Sequence, residues 1–281
     1  METKRTKKDE EEIKKIETPE VEVVEGIKEE EPAERIEKGT FNKETWHPKT
    51  GLGKKIKSGE ITSLDQVLDN GYKILEAEIV DALVPNINID LLLIGQSKGK
   101  FGGGQRRVFK QTQKKTKEGN KPSFSTIALV GNNNGYVGLG HGKSRETVPA
   151  REKAIRKSKL NIIKIARGCG SWQCNCKEPH SVPFTVKGKC GSVVVKLIPA
   201  PKGTGLIIEP ELGKILKFAG IKDVWSKTSG HTKTKSNSIK ATFDALKNII
   251  KMKHGAKDAE KLGIVEGLAI EEKAAEKDKA E

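Results

Sequence analysis

The sequence IALVGNNNGYVGLGHGKS, residues 127–144, decides the fold of this chain. Residues 123–130 predict a β-strand, the Asn/Gly cluster at 132–135 predicts a turn, and residues 136–142 predict the returning strand of a hairpin. A long helix is predicted over 147–166, because small and apolar residues recur there at helical spacing. These residues are Ala154, Ser158, Ile162 and Ile165.

The returning strand carries a row of glycines at Gly138, Gly140 and Gly142, which share one face because side chains alternate along a strand. Such a bare face usually marks the close approach of another backbone. We interpret it as the packing surface of the following helix, with RNA as the alternative occupant. The sequence GKS at 142–144 resembles the end of a Walker motif, but Val137 stands where that motif requires its first glycine. A nucleotide-binding site is therefore not expected.

On the N-terminal side of this stretch, the sequence predicts a short helix and one more strand. Ser63 and Gln66 have the spacing of a capping box that opens the helix, and Asn70 ends it. Residues 90–94 form a short apolar run suited to a strand, and a loop rich in Lys, Gly and Gln is predicted over 97–120. The first unit is then three strands followed by a long helix.

On the C-terminal side, the pattern predicts a second unit of two strands followed by two helices. The strands cover 183–187 and 192–198, and the helices cover 210–219 and about 237–254. A short strand near Trp225 is expected between the two helices. The fold class that follows is α+β, with two units.

The charge is concentrated in the middle of the chain. The 281 residues include 53 Lys plus Arg against 38 Asp plus Glu, a formal charge of +15. Residues 1–40 carry a net −5 and residues 257–281 a net −3, which leaves +23 on residues 41–256. That density predicts a nucleic-acid partner. The two ends are rich in Glu, Lys and Ala and are expected to be disordered acidic tails that assembly does not need.

The chain is therefore divided into five segments. Residues 1–40 and 257–281 are the tails, 41–87 is an N-terminal extension with the short helix, 88–166 is the first domain and 167–256 is the second. No apolar run approaches the roughly 18 residues that are needed to cross a bilayer, so no membrane partner is expected. We expect a cytoplasmic location. The four cysteines are then expected to be reduced thiols or metal ligands.

Basic residues are most dense in the predicted loop, where nine Lys and Arg lie between Lys98 and Lys121 against a single acidic residue, Glu118. Such a loop can follow an RNA backbone, although a loop that is merely solvated is the alternative. The cations of the long helix are likewise either RNA contacts or a solvated helix face. The Ser/Thr-rich stretch 228–238 offers lysines and backbone N–H groups to an anion. The rRNA-binding candidates are Lys98, Lys100, Arg106, Arg107, Lys110, Lys153, Lys157, Lys202, Lys233 and Lys235.

A cysteine cluster has the spacing C-x4-C-x-C-x3-H, at Cys169, Cys174, Cys176 and His180. Three thiolates and an imidazole would satisfy tetrahedral zinc. The usual knuckle is C-x2-C, however, and a C-x-C pair chelates with more strain. Plain thiols are therefore preferred and no cofactor is expected, with zinc as the alternative. No paired-carboxylate motif or other catalytic set is visible, so the chain is not expected to be an enzyme.

Several motifs in the same order resemble one family. They are residues 127–144 with the basic helix after them, LIPAPKGTGL at 197–206, AGIKDVWSKTSG at 219–230 and KATFDALKN at 240–248. Together they closely resemble the universal small-subunit ribosomal protein S-five. WHPKTGLGKKIKSGEITSLDQ at 46–66 and RGCGSWQCNC at 167–176 are similar to its archaeal branch, which is related to the eukaryotic S-two protein. The resemblance covers roughly residues 41–253.

This resemblance implies an N-terminal domain similar to a double-stranded-RNA-binding domain, followed by an α+β C-terminal domain of the S-five type. It implies a structural constituent of the small ribosomal subunit that binds small-subunit rRNA and contacts ribosomal proteins S-four and S-eight. It further implies that the protein helps line the messenger RNA entry path with S-three and S-four, and supports translational accuracy. The family's basic loop maps onto residues 97–113. An RNA-modifying enzyme and a free zinc-containing nucleic-acid factor are the competing classes.

Overall fold

The computed structural model describes residues 45–84, 86–97, 104–253 and 255–267. Predictions for the tail at residues 1–40, for Lys98 and Lys100, and for residues 268–281 lie outside this part of the chain. Within it, no helix is both long enough and apolar enough to span a membrane.

The N-terminal extension forms three helices instead of one: α1 (Gly51–Ser58), α2 (Leu64–Asp69) and α3 (Glu78–Leu83). The predicted helix α2 is confirmed, but the Ser63 side chain makes no capping hydrogen bond. At the start of α1, Thr50 Oγ1 accepts a hydrogen bond from Gly53 N at 3.1 Å. All three helices are amphipathic and bury apolar side chains against the first sheet. The buried residues they contribute include Ile56, Leu64, Val67, Ile79 and Val80, which pack with Val130, Tyr136 and Ile162.

The first sheet consists of β1 (Asn88–Leu92), β2 (Lys110–Thr116), β3 (Gly119–Gly131), β4 (Tyr136–Ser144) and β5 (Ile162–Lys164). The order is β1-β3-β4-β5, and β2 pairs with the first half of the long strand β3. Every pairing is antiparallel. The hairpin of β3 and β4, with its turn at 132–135, is the one predicted from the sequence, and it forms the centre of this sheet.

Helix α4 (Thr147–Leu160) packs directly on the glycine face of β4. A Cβ added to Gly138, Gly140 or Gly142 would lie only 2.1–2.2 Å from a carbonyl oxygen of the helix. Those oxygens belong to Ser158, Ala154 and Ala150, respectively. The interpretation of this face as a helix-packing surface is therefore confirmed.

The long helix ends at Leu160, six residues earlier than predicted. Ile162 pairs instead with Gly138, as the first residue of edge strand β5. The β-branched residues Ile162 and Ile163 suit a strand better than a helix, and the apolar spacing alone does not separate the two structures for so short a run.

The predicted loop over 97–120 is wrong for its second half, because Lys110–Thr116 is strand β2. This strand pairs with β3 from Lys110 opposite Ser125 to Thr116 opposite Gly119. Polar side chains occupy both of its faces, so the apolar alternation that identifies a half-buried strand is absent. Gly119, with φ of +109°, closes the hairpin in a backbone conformation that glycine tolerates.

The second sheet contains β7 (Val186–Cys190), β8 (Val193–Pro199), β9 (Leu206–Ile207) and β10 (Val224–Ser229), in the order β7-β8-β10-β9. It follows a two-residue strand, β6 (Ala166–Arg167). Helices α5 (Pro210–Phe218) and α6 (Lys235–Lys251) complete this part, so all the predicted elements are present with shifted ends. The two sheets share one apolar core, in which Ile127, Leu129 and Val137 of the first meet Val195, Leu197 and Leu246 of the second part.

The predicted disordered tail from residue 257 is wrong for its first eleven residues. Helix α7 (Ala256–Leu262) and strand β11 (Val265–Glu266) are formed there, and β11 pairs with β6 in antiparallel register. The backbone N–H of Gly267 also donates to Ile165 O at 3.2 Å. The negative net charge of this segment suggests disorder, but so short a strand needs only a few apolar contacts, such as that of Ile264 with the core.

Candidate nucleic-acid interface and cysteine–histidine cluster

The hairpin of β2 and the first part of β3 forms an exposed basic ribbon. Every residue of β2 from Lys110 to Lys115 is exposed, and β2 pairs with no described strand other than β3. Lys110, Lys114, Lys115 and Lys117 make no salt bridge with a described residue, whereas Lys121 pairs with Glu118 at 3.2 Å. Two strands with no apolar face gain little stability by themselves, so this ribbon has the character of a surface that a partner covers.

The two predicted arginines differ in their surroundings. Arg106 is partly buried, and its Nη1 donates to Gly95 O at 3.3 Å. Arg107 is exposed, while its backbone N–H donates to Gln96 O at 3.0 Å and its carbonyl accepts from Gly95 N at 2.8 Å. The backbone therefore holds both residues in place, but only the guanidinium of Arg107 is directed at solvent and available to a phosphate.

A first basic groove lies at the start of α4. It encloses about 510 Å³ and is lined by Ser123, Lys143, Ser144, Arg145, Glu146, Pro149 and Lys153. Lys143, Arg145 and Lys153 are exposed cations here, against the single carboxylate of Glu146. Three cations and the N-terminal end of a helix give this groove a positive potential suited to an anionic partner.

A second basic groove lies where the two sheets meet. It encloses about 330 Å³ and is lined by Ile127, Leu139, His141, Asn161, Lys189, Cys190, Lys240, Phe243, Asp244 and Lys247. The pKa of His141 is lowered by its partial burial and by the positive charges of Lys240, Lys157 and Lys143. Lys143 of the first groove and His141 of the second lie two residues apart on the same face of β4, so the two grooves are neighbours, and we call their combined set of cations the basic strip.

The lysines of α4 and β5 divide into two groups. Lys153 and Lys157, both predicted to contact RNA, are exposed and lie on or beside the basic strip. Lys159 and Lys164 instead form ion pairs with the N-terminal extension: Lys159 lies 2.6 Å from Asp81, and Lys164 lies 2.7 Å from Asp69. The second group therefore fastens the extension to the first sheet.

The three remaining predicted lysines lie in the second half of the chain and do not belong to the basic strip. Lys202 is exposed and forms an ion pair with Glu178 at 2.7 Å. Lys233 is exposed, whereas Lys235 forms an ion pair with Glu209. The helix also begins at Lys235 rather than at Asn237, so Lys235 is in its first turn. Of these three lysines, Lys233 is the only one with no ion pair to a described residue.

The cysteine–histidine cluster is the most concentrated set of metal-ligand atoms in the described part of the chain. The Sγ atoms of Cys169, Cys174 and Cys176 and a ring nitrogen of His180 all lie within 4.8 Å of one another. Cys174 Sγ is 3.9 Å from His180 Nε2. His180 and Cys169 are buried, and the other two cysteines are partly exposed. Cys190, the fourth cysteine, lies apart from the cluster and lines the second basic groove.

The thiols of the cluster are in different electrostatic environments. Hydrogen bonds from the backbone N–H groups of Lys202 and Cys176 lower the pKa of the Cys174 thiol to about 6. Burial is the largest of the effects that raise the pKa of the Cys169 thiol to about 11. On the other side of the cluster, His180 Nδ1 lies 2.9 Å from the buried carboxylate of Asp223. No local sequence pattern connects Asp223 with the cluster, since it lies 43 residues from His180 in the chain.

The sequence analysis also missed several members of the basic strip, namely Lys143, Arg145, Lys189, Lys240 and Lys247. Lys143 could have been identified, because it alternates with the glycines of β4 and so must face away from α4. The lysines of β7 and α6 join the strip only through the packing of the two sheets, which no local pattern reveals.

Comparison with known proteins matches both halves of the chain. A family model described as Ribosomal protein S5, N-terminal domain, matches residues 105–166, and one described as Ribosomal protein S5, C-terminal domain, matches residues 188–259. The small ribosomal subunit protein uS5 of Nanoarchaeum equitans is 51% identical over 208 residues, which cover 74% of this chain and 89% of that protein. The uS5 protein of Methanocaldococcus jannaschii is 46% identical over 230 residues, or 82% of this chain and 99% of that protein.

Proposed function

The chain belongs to the ribosomal protein S5 family and is a structural constituent of the small ribosomal subunit, and from that premise we propose that it binds small-subunit rRNA through the basic strip and the exposed ribbon. The family is non-enzymatic, and its location is the ribosome. The archaeal-type resemblance and the fold class predicted from the sequence are thereby confirmed.

The observation that carries the rRNA proposal is that the basic strip spans the two sheets. Lys143 and Lys157 come from the first sheet and its helix, and Lys240 comes from α6 in the second part. Burial is the main cause that lowers the pKa of His141, and the positive charges of Lys240, Lys157 and Lys143 lower it further, so like charges face one another across this surface in the free protein. Phosphates relieve the repulsion between these charges, so RNA binding gains both direct contacts and the release of condensed counterions.

The ribbon is proposed as the second contact. Its cations lie on a hairpin in which β2 pairs with no described strand other than β3, and Arg107 precedes β2 by three residues. A twisted two-stranded ribbon can enter a groove of folded RNA, where exposed lysines neutralise phosphates on either side. Lys98 and Lys100 remain predicted contacts of the same region, and Lys202, Lys233 and Lys235 remain predicted contacts of the second domain.

The finer roles that we propose follow from the family resemblance. The protein is expected to contact S-four and S-eight, to help line the messenger RNA entry path with S-three and S-four, and to support translational accuracy. The exposed ribbon is the part best suited to such a role, since every residue of β2 from Lys110 to Lys115 is open to a partner. Subunits that carry Arg107→Glu are therefore expected to assemble and to misread codons more often.

The test is charge reversal on the strip. The double variant Lys143→Glu/Lys240→Glu should fold normally, because both side chains are exposed. Its affinity for small-subunit rRNA should fall, and the slope of log K against log salt should decrease by about 0.7 to 0.9 for each lost phosphate contact. The matched control is Lys54→Glu/Lys55→Glu, which makes the same charge change on exposed residues of α1 that line neither groove.

Filter binding across a salt series measures the affinity, and sedimentation in high-salt sucrose gradients measures retention in the subunit. If both double variants weaken binding equally at every salt concentration, net charge alone explains the effect and the strip is not the rRNA contact. If subunits that carry Arg107→Glu misread codons no more often than the wild type, the proposed role of the ribbon in translational accuracy is wrong.

A further inference from the structure

We propose that Cys169, Cys174, Cys176 and His180 bind one structural Zn²⁺ ion. In tetrahedral zinc, Zn–S bonds of about 2.3 Å and a Zn–N bond of about 2.0 Å place ligand atoms roughly 3.5 to 3.8 Å apart. The four ligand atoms here already lie within 4.8 Å of one another, and Cys174 Sγ is 3.9 Å from His180 Nε2. Side-chain adjustments of about 1 Å or less would complete the site.

The histidine is oriented as a zinc ligand. His180 Nδ1 lies 2.9 Å from Asp223 Oδ2, so the carboxylate accepts the ring N–H and leaves the Nε2 lone pair directed at Cys174. Asp223 is itself fixed, because its other oxygen accepts a hydrogen bond from Gly205 N at 2.8 Å. A carboxylate behind a ligating histidine is the usual outer partner of a protein zinc site.

Two of the three sulfur atoms also receive hydrogen bonds from backbone N–H groups, whereas the Cys169 thiol donates to Cys174 O at 3.3 Å. The backbone N–H of Glu178 lies 3.5 Å from Cys176 Sγ, and the backbone N–H groups of Lys202 and Cys176 lie next to Cys174 Sγ. Backbone donors of this kind offset the negative charge that three thiolates bring to one cation. Plain buried thiols do not require such donors, nor do they require a histidine held by a buried carboxylate.

The segment around the cluster has no regular secondary structure of its own. Residues 169–180 contain no helix and no strand, and the bridge between Gly168 and Ser181 closes them into a loop. Trp172 and Gln173 at its outer end are exposed. Lys177 adopts a left-handed backbone conformation, with φ of 55°, which is unfavourable for a residue other than glycine. A bound metal would stabilise this segment in place of an apolar core of its own. The free energy of zinc binding would exceed the strain energy of the C-x-C spacing.

The first experiment measures metal in the full chain, purified without a metal-affinity tag and dialysed against a mild chelator. We expect about one equivalent of zinc by mass spectrometry of the metal, and its loss in Cys174→Ser/Cys176→Ser. Cys190→Ser is the matched control, since Cys190 lies outside the cluster, and it should retain the zinc. Absence of zinc from the wild type, or equal zinc in the wild type and the double variant, would overturn the proposal.

A second experiment keeps the test valid if the serine variants fail to fold. Co²⁺ added to the chelator-treated wild type should give the visible bands of tetrahedral, thiolate-bound cobalt, and added Zn²⁺ should remove them. Asp223→Asn keeps an oxygen for Gly205 but loses the carboxylate behind His180. It should weaken zinc binding by about 10- to 100-fold in competition with a chromophoric chelator. An octahedral cobalt spectrum, or unchanged affinity in Asp223→Asn, would show that these residues do not form the site as proposed.

Discussion

Replacing Gly140 with alanine should separate helix α4 from the first sheet. A Cβ at this position would lie 2.2 Å from both Ala154 O and Ser158 N, and 2.8 Å from Lys157 C. All three are backbone atoms, so no side chain can rotate away to make room. Ordinary contact begins at 3.4 Å, which means that the helix and the strand must move apart by about 1.2 Å.

The cost of that movement can be estimated from its extent. Overpacking of a close-packed interior usually costs about 1 to 3 kcal/mol. Gly140 belongs at the upper end, because the shift also loosens the tight contacts of Gly138 and Gly142 with the same helix. For a folded part of this size, each kcal/mol lowers the melting temperature by about 2 to 4 °C. We therefore expect a loss of about 3 kcal/mol and a fall in melting temperature of roughly 6 to 12 °C.

Thermal and urea unfolding of the full chain, followed by circular dichroism, provide the measurement. Gly213→Ala is the matched control, because Gly213 lies inside helix α5 and its nearest neighbour, Ile208 Cγ2, is 3.5 Å from the added Cβ. That change should be neutral or stabilising by up to about 1 kcal/mol. If Gly140→Ala is as stable as the wild type, the contact between α4 and β4 is looser than described and the packing argument is wrong.

Two further predictions concern the two ends of the described chain. Burial would raise the pKa of Glu76, but hydrogen bonds from Thr50 and Lys49 outweigh it and hold the pKa below that of a free glutamate. Glu76→Gln should therefore lose about 1.5 kcal/mol of stability at pH 7, and urea titrations should show that difference vanish as the pH falls through the folded pKa. Ending the chain after Gly255 should destabilise the fold, whereas ending it after Gly267 should leave the urea midpoint unchanged; equal midpoints for the two truncations would refute the role assigned to α7 and β11.

The parts of the fold that the sequence predicts well are those in which one local pattern has one physical explanation. Glycines at every second residue leave a strand face bare, and only another backbone can fill a space that close. Helices α5 and α6 are each predicted by an apolar stripe at helical spacing. A proline marks the start of α5, and a basic residue marks the end of α6. These elements appear in the structure with ends shifted by only a few residues.

The parts that the sequence does not predict are stabilised by distant partners. Strand β2 has polar side chains on both faces and is a strand only because β3 extends far enough to pair with it. Strand β11 is two residues long and pairs with β6 about 100 residues earlier in the chain. For such elements, local propensity carries little information, and charge statistics suggest disorder where pairing has produced order.

The candidate sites show the same division. The cysteine spacing identified four residues that the fold brings together, but the observation that favours metal over plain thiols is the position of Asp223, which depends on the second sheet. Similarly, Lys153 and Lys157 were recognisable on a helix, while Lys240 joins them only because α6 packs beside the first sheet. The predicted rRNA contacts on α4 therefore omit the lysines of α6 that lie beside them, and all of these contacts stay predictions.

The C-terminal element and the cysteine–histidine cluster support one another. The backbone N–H of Cys169 donates to Leu262 O at 2.7 Å, and a Cβ at Gly263 would lie 1.9 Å from Lys177 O. The end of α7 thus lies against both sides of the cluster segment. Arg167 connects the same region to the deciding hairpin, since its Nη2 donates to Gly267 O at 2.9 Å and to Asn134 Oδ1 at 2.5 Å. The ordered residues 256–267 therefore hold the loop that carries the proposed zinc ligands. The bound metal would in turn stabilise that loop, against which residues 256–267 pack.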